Sequence, residues 1–218
     1  MQVEIIKLVL GDFGANCYVL DESRRAIVID PGGEPEKIAA FLRKKNIEEL
    51  KIILTHCHVD HWAAAPTLKK LFKTEILMGI AAKKICRQSE INLAGLAGFE
   101  EFPEIDGWLN DGEELKFGGV PTGTFVVIFT PGHTADGISL FKKERDAGTL
   151  FTGDTLFSDS VGRTDLPTGS SVVLLKSIKE RLLPFPDETR IFPGHGENST
   201  IGNEKKNNPF IKNLWRDG

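Results

Sequence analysis

Residues 55–61 read Thr55-His56-Cys57-His58-Val59-Asp60-His61, and this stretch holds three of the five histidines in the chain. The other two, His133 and His195, each follow a Pro-Gly pair, in Pro131-Gly132-His133-Thr134 and Pro193-Gly194-His195-Gly196. Imidazole is the commonest protein ligand for zinc-like cations, and carboxylates complete such sets. A chain that places every imidazole beside glycine, proline or aspartate in loop-like sequence is building a metal site. A lone histidine is more often a plain surface or core residue, but His56, His58, Asp60 and His61 stand within one short motif.

The local pattern supports this reading. Lys51-Ile52-Ile53-Leu54 is a short apolar run that reads as a buried strand. His56, His58 and Asp60 follow at a spacing of two. Alternate side chains of extended backbone share a face, so these three are expected to converge while Cys57 and Val59 point elsewhere. From His61 to Phe72 the pattern predicts a helix. Strand end, turn and helix start then offer two ligand pairs, His56 with His58 and Asp60 with His61.

Strands and helices alternate along the rest of the chain without a linker. Val3 to Leu10, Ala15 to Leu20 and Ala26 to Asp30 read as strands. Pro31-Gly32-Gly33 turns into a helix with Pro35 near its first position and Ile38, Phe41 and Leu42 on one face. Glu75 to Met78 is expected as a strand and Ile80 to Arg87 as a short helix. Residues 88–110 show no clean period and read as a mobile or loop-rich segment near the site, of unassigned role. Thr124 to Thr130, Gly137 to Phe141, Thr149 to Thr152 and Arg190 to Phe192 read as strands. Ser171 to Leu183 reads as a helix capped by Ser170 or Ser171. Ligand-type residues thus recur at the carboxyl ends of strands, where α/β folds place their sites.

Composition narrows the class. A chain of 218 residues can bury a full core, and 40% hydrophobic with 27% charged residues is ordinary for a globular protein. Met1 to Leu10 alternates like a strand rather than a leader, and no apolar run reaches membrane-spanning length. Three scattered cysteines, Cys17, Cys57 and Cys86, do not make a disulfide framework, so a cytoplasmic location is expected. The net charge of -4 carries no basic stripe, which argues against nucleic acid as a partner. Oligomeric state is not legible. Asp154, in Gly153-Asp154-Thr155, would in isolation read as a turn or helix cap. Beside the histidines it reads as a ligand, because a dinuclear centre needs a bridging anion besides its solvent bridge.

Taken in order, Thr55 to His61, Pro-Gly-His133-Thr, Gly-Asp154-Thr-Leu-Phe and Pro-Gly-His195-Gly resemble the metallo-β-lactamase fold superfamily, most closely its hydroxyacylglutathione hydrolase (glyoxalase II) branch. The likeness runs from about Asn16-Cys17-Tyr18 to Asn208-Pro209-Phe210. The resemblance implies an αββα sandwich of two mixed sheets flanked by helices. It implies His56, His58 and His133 on one divalent ion, Asp60, His61 and His195 on a second, and Asp154 between them. Zinc is the first expectation for both ions, with iron or manganese as alternatives. Asp30, in Val28-Ile29-Asp30-Pro31-Gly32, resembles a position near the site that supports the ligands, although a plain turn residue reads equally well.

The chemistry implied is thioester hydrolysis. Two cations about 3.5 Å apart activate a bridging water as hydroxide for attack on a carbonyl, and one of them stabilises the oxyanion. Asp60 and Asp154 are the expected catalytic carboxylates, and a small-molecule thioester such as S-lactoylglutathione is the expected substrate. A thiolate leaves without a strong acid, since a thiol pKa is about 8.5. The longer hydroxyacylglutathione hydrolases carry a C-terminal helical domain. Here the chain stops soon after Glu197 to Gly202, so a single domain over residues 1–218 is expected, with glutathione recognition in doubt. The loop Ser160 to Pro167 is similar to that of short bacterial and archaeal members. Its Arg163 reads as a receptor for a substrate carboxylate or as the partner of Asp165. Three rivals stay open: a mononuclear-iron persulfide dioxygenase using His56, His133 and Asp154, a phosphodiesterase or ribonuclease, and a metal-free binding module. A secreted β-lactamase is disfavoured by the missing leader and by His61, which zinc lactamases usually lack.

Overall fold

The computed structural model describes residues 4–22, 24–116, 124–144, 147–212 and 214. Met1 to Val3, with the start of the first expected strand, lie outside the described residues. Two compact units are present, Met1–Leu109 and Asn110–Gly218.

In the first unit β1 (Glu4–Leu10), β2 (Ala15–Glu22), β3 (Arg25–Ile29), β4 (Glu49–Leu54), β5 (Glu75–Gly79) and β6 (Gly107–Leu109) form one sheet in that order. The first three strands pair antiparallel through tight turns, and β3 to β6 pair parallel. Parallel neighbours need crossovers, supplied by α1 (Pro35–Lys44) between β3 and β4 and α2 (Ala65–Phe72) between β4 and β5. Pro35 opens α1, where a missing N–H costs nothing. Ile38 and Leu42 of α1 join Leu68 of α2 in a core with Val28, Ile52, Leu54 and Ile76. Ile29 of β3 pairs with Ile53 of β4. β3 ends at Ile29 and β4 one residue beyond Ile53, at Leu54, so Asp30 and Thr55 leave the sheet as neighbours at its carboxyl edge.

The helix expected from His61 starts only at Ala65. Val59–His61 is instead a 3-10 turn. Two bonds outside any helix hold it: the Ala64 N–H donates to Pro31 O at 2.9 Å, and Trp62 Nε1 donates to Cys57 O at 2.8 Å. Pro66, in the first turn of α2, suits a helix start and not a helix interior. The helix expected over Ile80 to Arg87 is likewise only a 3-10 turn, Ile80–Lys84. Residues 88–110 hold α3 (Ser89–Asn92), a 3-10 turn Ala94–Ala97, and β6. The rings of Phe99 and Phe102 meet Trp62 edge-on at 5.0 and 5.1 Å, so this segment packs on the residue that follows His61.

The second unit contains β7 (Glu114–Lys116), β8 (Thr124–Phe129), β9 (Ile138–Lys142), β10 (Thr149–Gly153), the small hairpin β11 (Leu156–Phe157) and β12 (Ser160–Val161), β13 (Arg190–Pro193) and β14 (Ser199–Thr200). Its sheet runs β14-β13-β10-β9-β8-β7. The helix α4 (Ser171–Ser177), capped by Ser170, continues through a π turn over Ile178–Leu182. Leu174, Ile178 and Leu182 pack with Ile128, Leu150 and Ile191 of the sheet, and α5 (Ile201–Asn207) adds Ile201. Both β8 and β10 pair antiparallel with β9, and β10 pairs parallel with β13. All three therefore run one way, and their carboxyl ends share one edge. His133, Asp154 and His195 follow those ends. Each unit thus carries a mixed sheet with helices, the expected α/β class. Among the described residues no helix is long and apolar enough to cross a membrane.

Candidate metal centre

In the first unit the site is organised by Asp30. This buried residue sits at a left-handed backbone position, φ 52°. Its Oδ1 accepts the Thr55 N–H at 2.8 Å, and its Oδ2 accepts the Thr55 hydroxyl proton at 2.7 Å. With its only proton given to Asp30, Thr55 Oγ1 can only accept from His56 Nδ1, 3.1 Å away. His56 thus carries its proton on Nδ1 and its lone pair on Nε2. His61 Nδ1 donates directly to Asp30 Oδ2 at 3.0 Å, which leaves the His61 lone pair on Nε2 too. One carboxylate therefore sets the tautomers of two imidazoles, as outer partners of metal ligands do.

Those lone pairs fit a cation. For ligand bonds of about 2.1 Å, a tetrahedral site places donor atoms about 3.4 Å apart. His56 Nε2 and His58 Nδ1 are 3.2 Å apart, with their rings nearly perpendicular. His61 Nε2 and Asp60 Oδ2 are 3.6 Å apart, too far for a good hydrogen bond and close to a coordination edge. Extended backbone ends at His58, so Asp60 does not continue the alternation with His56 and His58; the 3-10 turn groups it with His61. The expected convergence of His56, His58 and Asp60 on one face therefore gives way to the two pairs, His56 with His58 and Asp60 with His61. Cys57 is fully buried and belongs to the core that includes Ile38, Leu42 and Leu68 of α1 and α2.

The second unit repeats the design with other parts. His133 Nδ1 donates to the Arg163 carbonyl at 2.7 Å, so its lone pair is on Nε2. That atom lies 3.5 Å from Asp154 Oδ2, and His195 Nε2 lies 3.7 Å from the same oxygen. Asp154 thus stands between two imidazoles at coordination-edge distances. The Pro131-Gly132 turn that aims His133 is held by α4: the Ser170 N–H donates to Gly132 O at 2.8 Å and the Ser177 hydroxyl to Pro131 O at 2.7 Å.

Two glycines allow the ligand carboxylates to sit where they do. A Cβ on Gly32 would come within 1.6 Å of the Asp60 carbonyl oxygen, and one on Gly162 within 1.9 Å of that of Asp154. Both positions require bare backbone against the ligand-bearing chain. The Arg163 guanidinium is bidentate to Asp165 at 2.7 and 2.8 Å, in an exposed pair. This bond holds the Asp165 carboxyl down at about 2. What Arg163 gives the ligand set is its main-chain carbonyl. Cys17, buried near Asp30, has its thiol pushed well up by burial and then by the Asp30 charge, so it stays a protonated core residue.

Thr55, Gly32, Gly162, Ser177 and the Arg163 carbonyl are contributors that pattern reading did not assign. Thr55 was within reach, as the hydroxyl residue directly before the first ligand. Gly32, Gly162 and Arg163 act through backbone, which leaves no mark on side-chain spacing, and the Ser177 hydroxyl acts on a turn far away in sequence.

The family model of the metallo-beta-lactamase superfamily matches residues 10–195, which include every candidate ligand named above. A hydroxyacylglutathione hydrolase, GloC of Haemophilus influenzae, is 37% identical over 97% of this chain and 98% of its own length. Among solved structures, BLEG-1, described as a B3 metallo-beta-lactamase, superposes with a TM-score of 0.86 at 33% identity, covering 95% of this chain and 99% of that one. TTHA1623 in a di-iron-bound form gives a TM-score of 0.79 at 32% identity, over 94% of this chain and 99% of that one. Fold, donor set and sequence likeness agree: the chain belongs to the metallo-β-lactamase superfamily.

Proposed function

We propose that this protein is a dinuclear metallohydrolase of S-acyl thioesters, with S-lactoylglutathione as the reference substrate. His56, His58 and His133 would hold one divalent ion, Asp60, His61 and His195 a second, and Asp154 would join them. The observation that carries this reading is the donor set. His56, His61 and His133 have their protons committed to Asp30, Thr55 or the Arg163 carbonyl, and so keep lone pairs for cations. Two such ions, zinc in the first instance, would supply an activated water and a polarised carbonyl. The thioester class draws its support from the likeness to GloC.

The chain's own residues have defined tasks in this reaction. Asp60, beside His61, orients the attacking water with its carboxylate. Asp154 keeps negative charge between His133 and His195. The thiolate departs unassisted, so no general acid is needed. The three cysteines are buried and in no disulfide, in keeping with a reducing cytoplasm.

A second reading is β-lactam hydrolysis. Disfavoured on sequence, it regains weight from the 33% identity to BLEG-1. Purified protein with its metals counted, assayed on S-lactoylglutathione, nitrocefin and glutathione persulfide, separates the readings. Two ions per chain with thioester turnover is the expected result. Nitrocefin turnover without thioester turnover would establish the second reading, and one iron with oxygen uptake would establish a dioxygenase.

A further inference from the structure

Within the second unit, Ile201 and Glu204 of α5 and Asn208 just past its end are all fully buried. A spacing of three and then four is that of a core-facing helical stripe, which hydrocarbon normally fills. Here a carboxylate and an amide take two of its places. A buried carboxylate is costly unless its oxygens are hydrogen-bonded, so its partners show what it holds.

Glu204 Oε2 accepts the Asp159 N–H at 2.9 Å and a proton of Asn208 Nδ2 at 2.7 Å. Its Oε1 accepts from Asn203 Nδ2 at 2.9 Å and from the Ser199 hydroxyl. Asn208 Nδ2 also donates to Ser160 O at 3.0 Å. Asp159, at φ 56°, lies in the turn between β11 and β12, and Ser160 begins β12. Glu204 and Asn208 therefore grip that hairpin at two successive residues.

The hairpin leads to the candidate ligands. After β12 comes Gly162, whose bare backbone packs against the Asp154 carbonyl and the His133 Cβ. Next is Arg163, whose carbonyl takes the His133 Nδ1 proton at 2.7 Å. Leu156 pairs with Val161 and Phe157 with Ser160, so a displacement of the turn is carried along β12.

We propose that Glu204, acting with Asn208, is a positioning residue of the metal centre. It fixes where the Arg163 carbonyl stands, and through it the proton on His133 Nδ1 and the lone pair on Nε2. The inference rests on the dinuclear reading for the use to which that lone pair is put. It gives the second unit a counterpart of Asp30, working through the main chain of residues 159–163.

Donor geometry separates the variants. The Ser199 hydroxyl can turn to accept a hydrogen bond, whereas the Asp159 N–H cannot. Glu204→Gln can therefore keep its one carbonyl oxygen toward Asp159 and Asn208. Glu204→Met fills similar space without an oxygen, and Asn208→Ala releases Ser160 with Glu204 in place. Ile201→Ala loosens α5 without touching the hairpin bonds and controls for general destabilisation.

The experiment reads exchange of imidazole N–H protons with water by NMR in the zinc-loaded full chain, and zinc affinity by competition with a chelator. In Glu204→Met and Asn208→Ala the His133 Nδ1 proton should exchange at least about tenfold faster, and zinc affinity should fall about tenfold or more. The His61 Nδ1 proton, held by Asp30 in the first unit, should be unchanged. Glu204→Gln and Ile201→Ala should match the wild type in both measurements. Unchanged His133 exchange in folded Glu204→Met or Asn208→Ala, or an equal rise in Ile201→Ala, would overturn the positioning role and leave the dinuclear reading standing. A wild type that takes up no zinc, with the exchange pattern as expected, would overturn the metal reading and leave the hold of Glu204 on the His133 proton standing.

Discussion

Asp30 Oδ2 lies 3.0 Å from His61 Nδ1, with both side chains buried, and the same oxygen accepts the hydroxyl of the residue before His56. The contact follows from register. β3 and β4 are parallel with Ile29 opposite Ile53, so the residue after β3 reaches the loop after β4. Replacing Asp30 by Asn keeps the size and tolerates the left-handed backbone, but removes an acceptor that two protons need. Metal affinity should fall about 10–100-fold, read by competition with a chelator. Affinity unchanged in Asp30→Asn would mean that the tautomers are set elsewhere.

Gly162→Ala forces a methyl group to within 1.9 Å of the Asp154 carbonyl and 3.1 Å of the His133 Cβ. Asp154 and His133, two of the three candidate ligands in the second unit, must move. A loss of about 3 kcal/mol in stability is expected from denaturant unfolding, together with reduced metal content. The substitution Gly196→Ala, one residue after His195, meets nothing within 4 Å. Its cost is limited to the strain of a positive φ, and it serves as the control.

Cys57→Ala removes one sulfur from the core behind the motif. A cost of about 1 kcal/mol is expected, with hydrolysis within a few-fold of the parent. Loss of turnover in protein that keeps its metals would show that Cys57 faces the reaction.

The Arg163–Asp165 pair predicts a titration. The carboxyl of Asp165 is held down, to about 2, chiefly by the hydrogen bond from Arg163, against an ordinary value of 3.8. A depressed folded value means that the pair's contribution is complete above the ordinary value and disappears as pH falls through about 2. In NMR the Asp165 carboxyl should titrate near that low midpoint in the wild type and return toward 3.8 in Arg163→Ala. Because His133 is held by the Arg163 carbonyl, the same variant should keep its metals.

The parts legible in sequence were those where side-chain pattern and structure share a cause. β-branched runs such as Thr124–Phe129 became strands, Pro35 opened α1, and the Pro-Gly-His turns followed strands whose ends share one sheet edge. The 3-10 turn at Val59–His61 was not legible: its own bonds are local, His61 N–H to His58 O and Trp62 N–H to Val59 O, and the residues that delay the helix, Trp62 and Ala64, are tied to Cys57 and Pro31 by contacts that side-chain spacing does not mark. β11, β12 and β14 are two residues long, too short to show a period of two. The support that Asp30 gives to His61 rests on strand register, and Arg163 holds His133 through a carbonyl that every residue has. Residue identity alone marks neither.

Metal stoichiometry across a set of ligand variants tests the dinuclear centre most directly. Metal-replete wild type should hold two ions per chain by elemental analysis. His195→Ala, which leaves the His56, His58 and His133 set intact, should hold one. Asp154→Asn should weaken both, because it removes the charge that stands between His133 and His195. One saturable ion in the wild type, with His61→Ala and His195→Ala retaining it unchanged, would contradict the dinuclear centre.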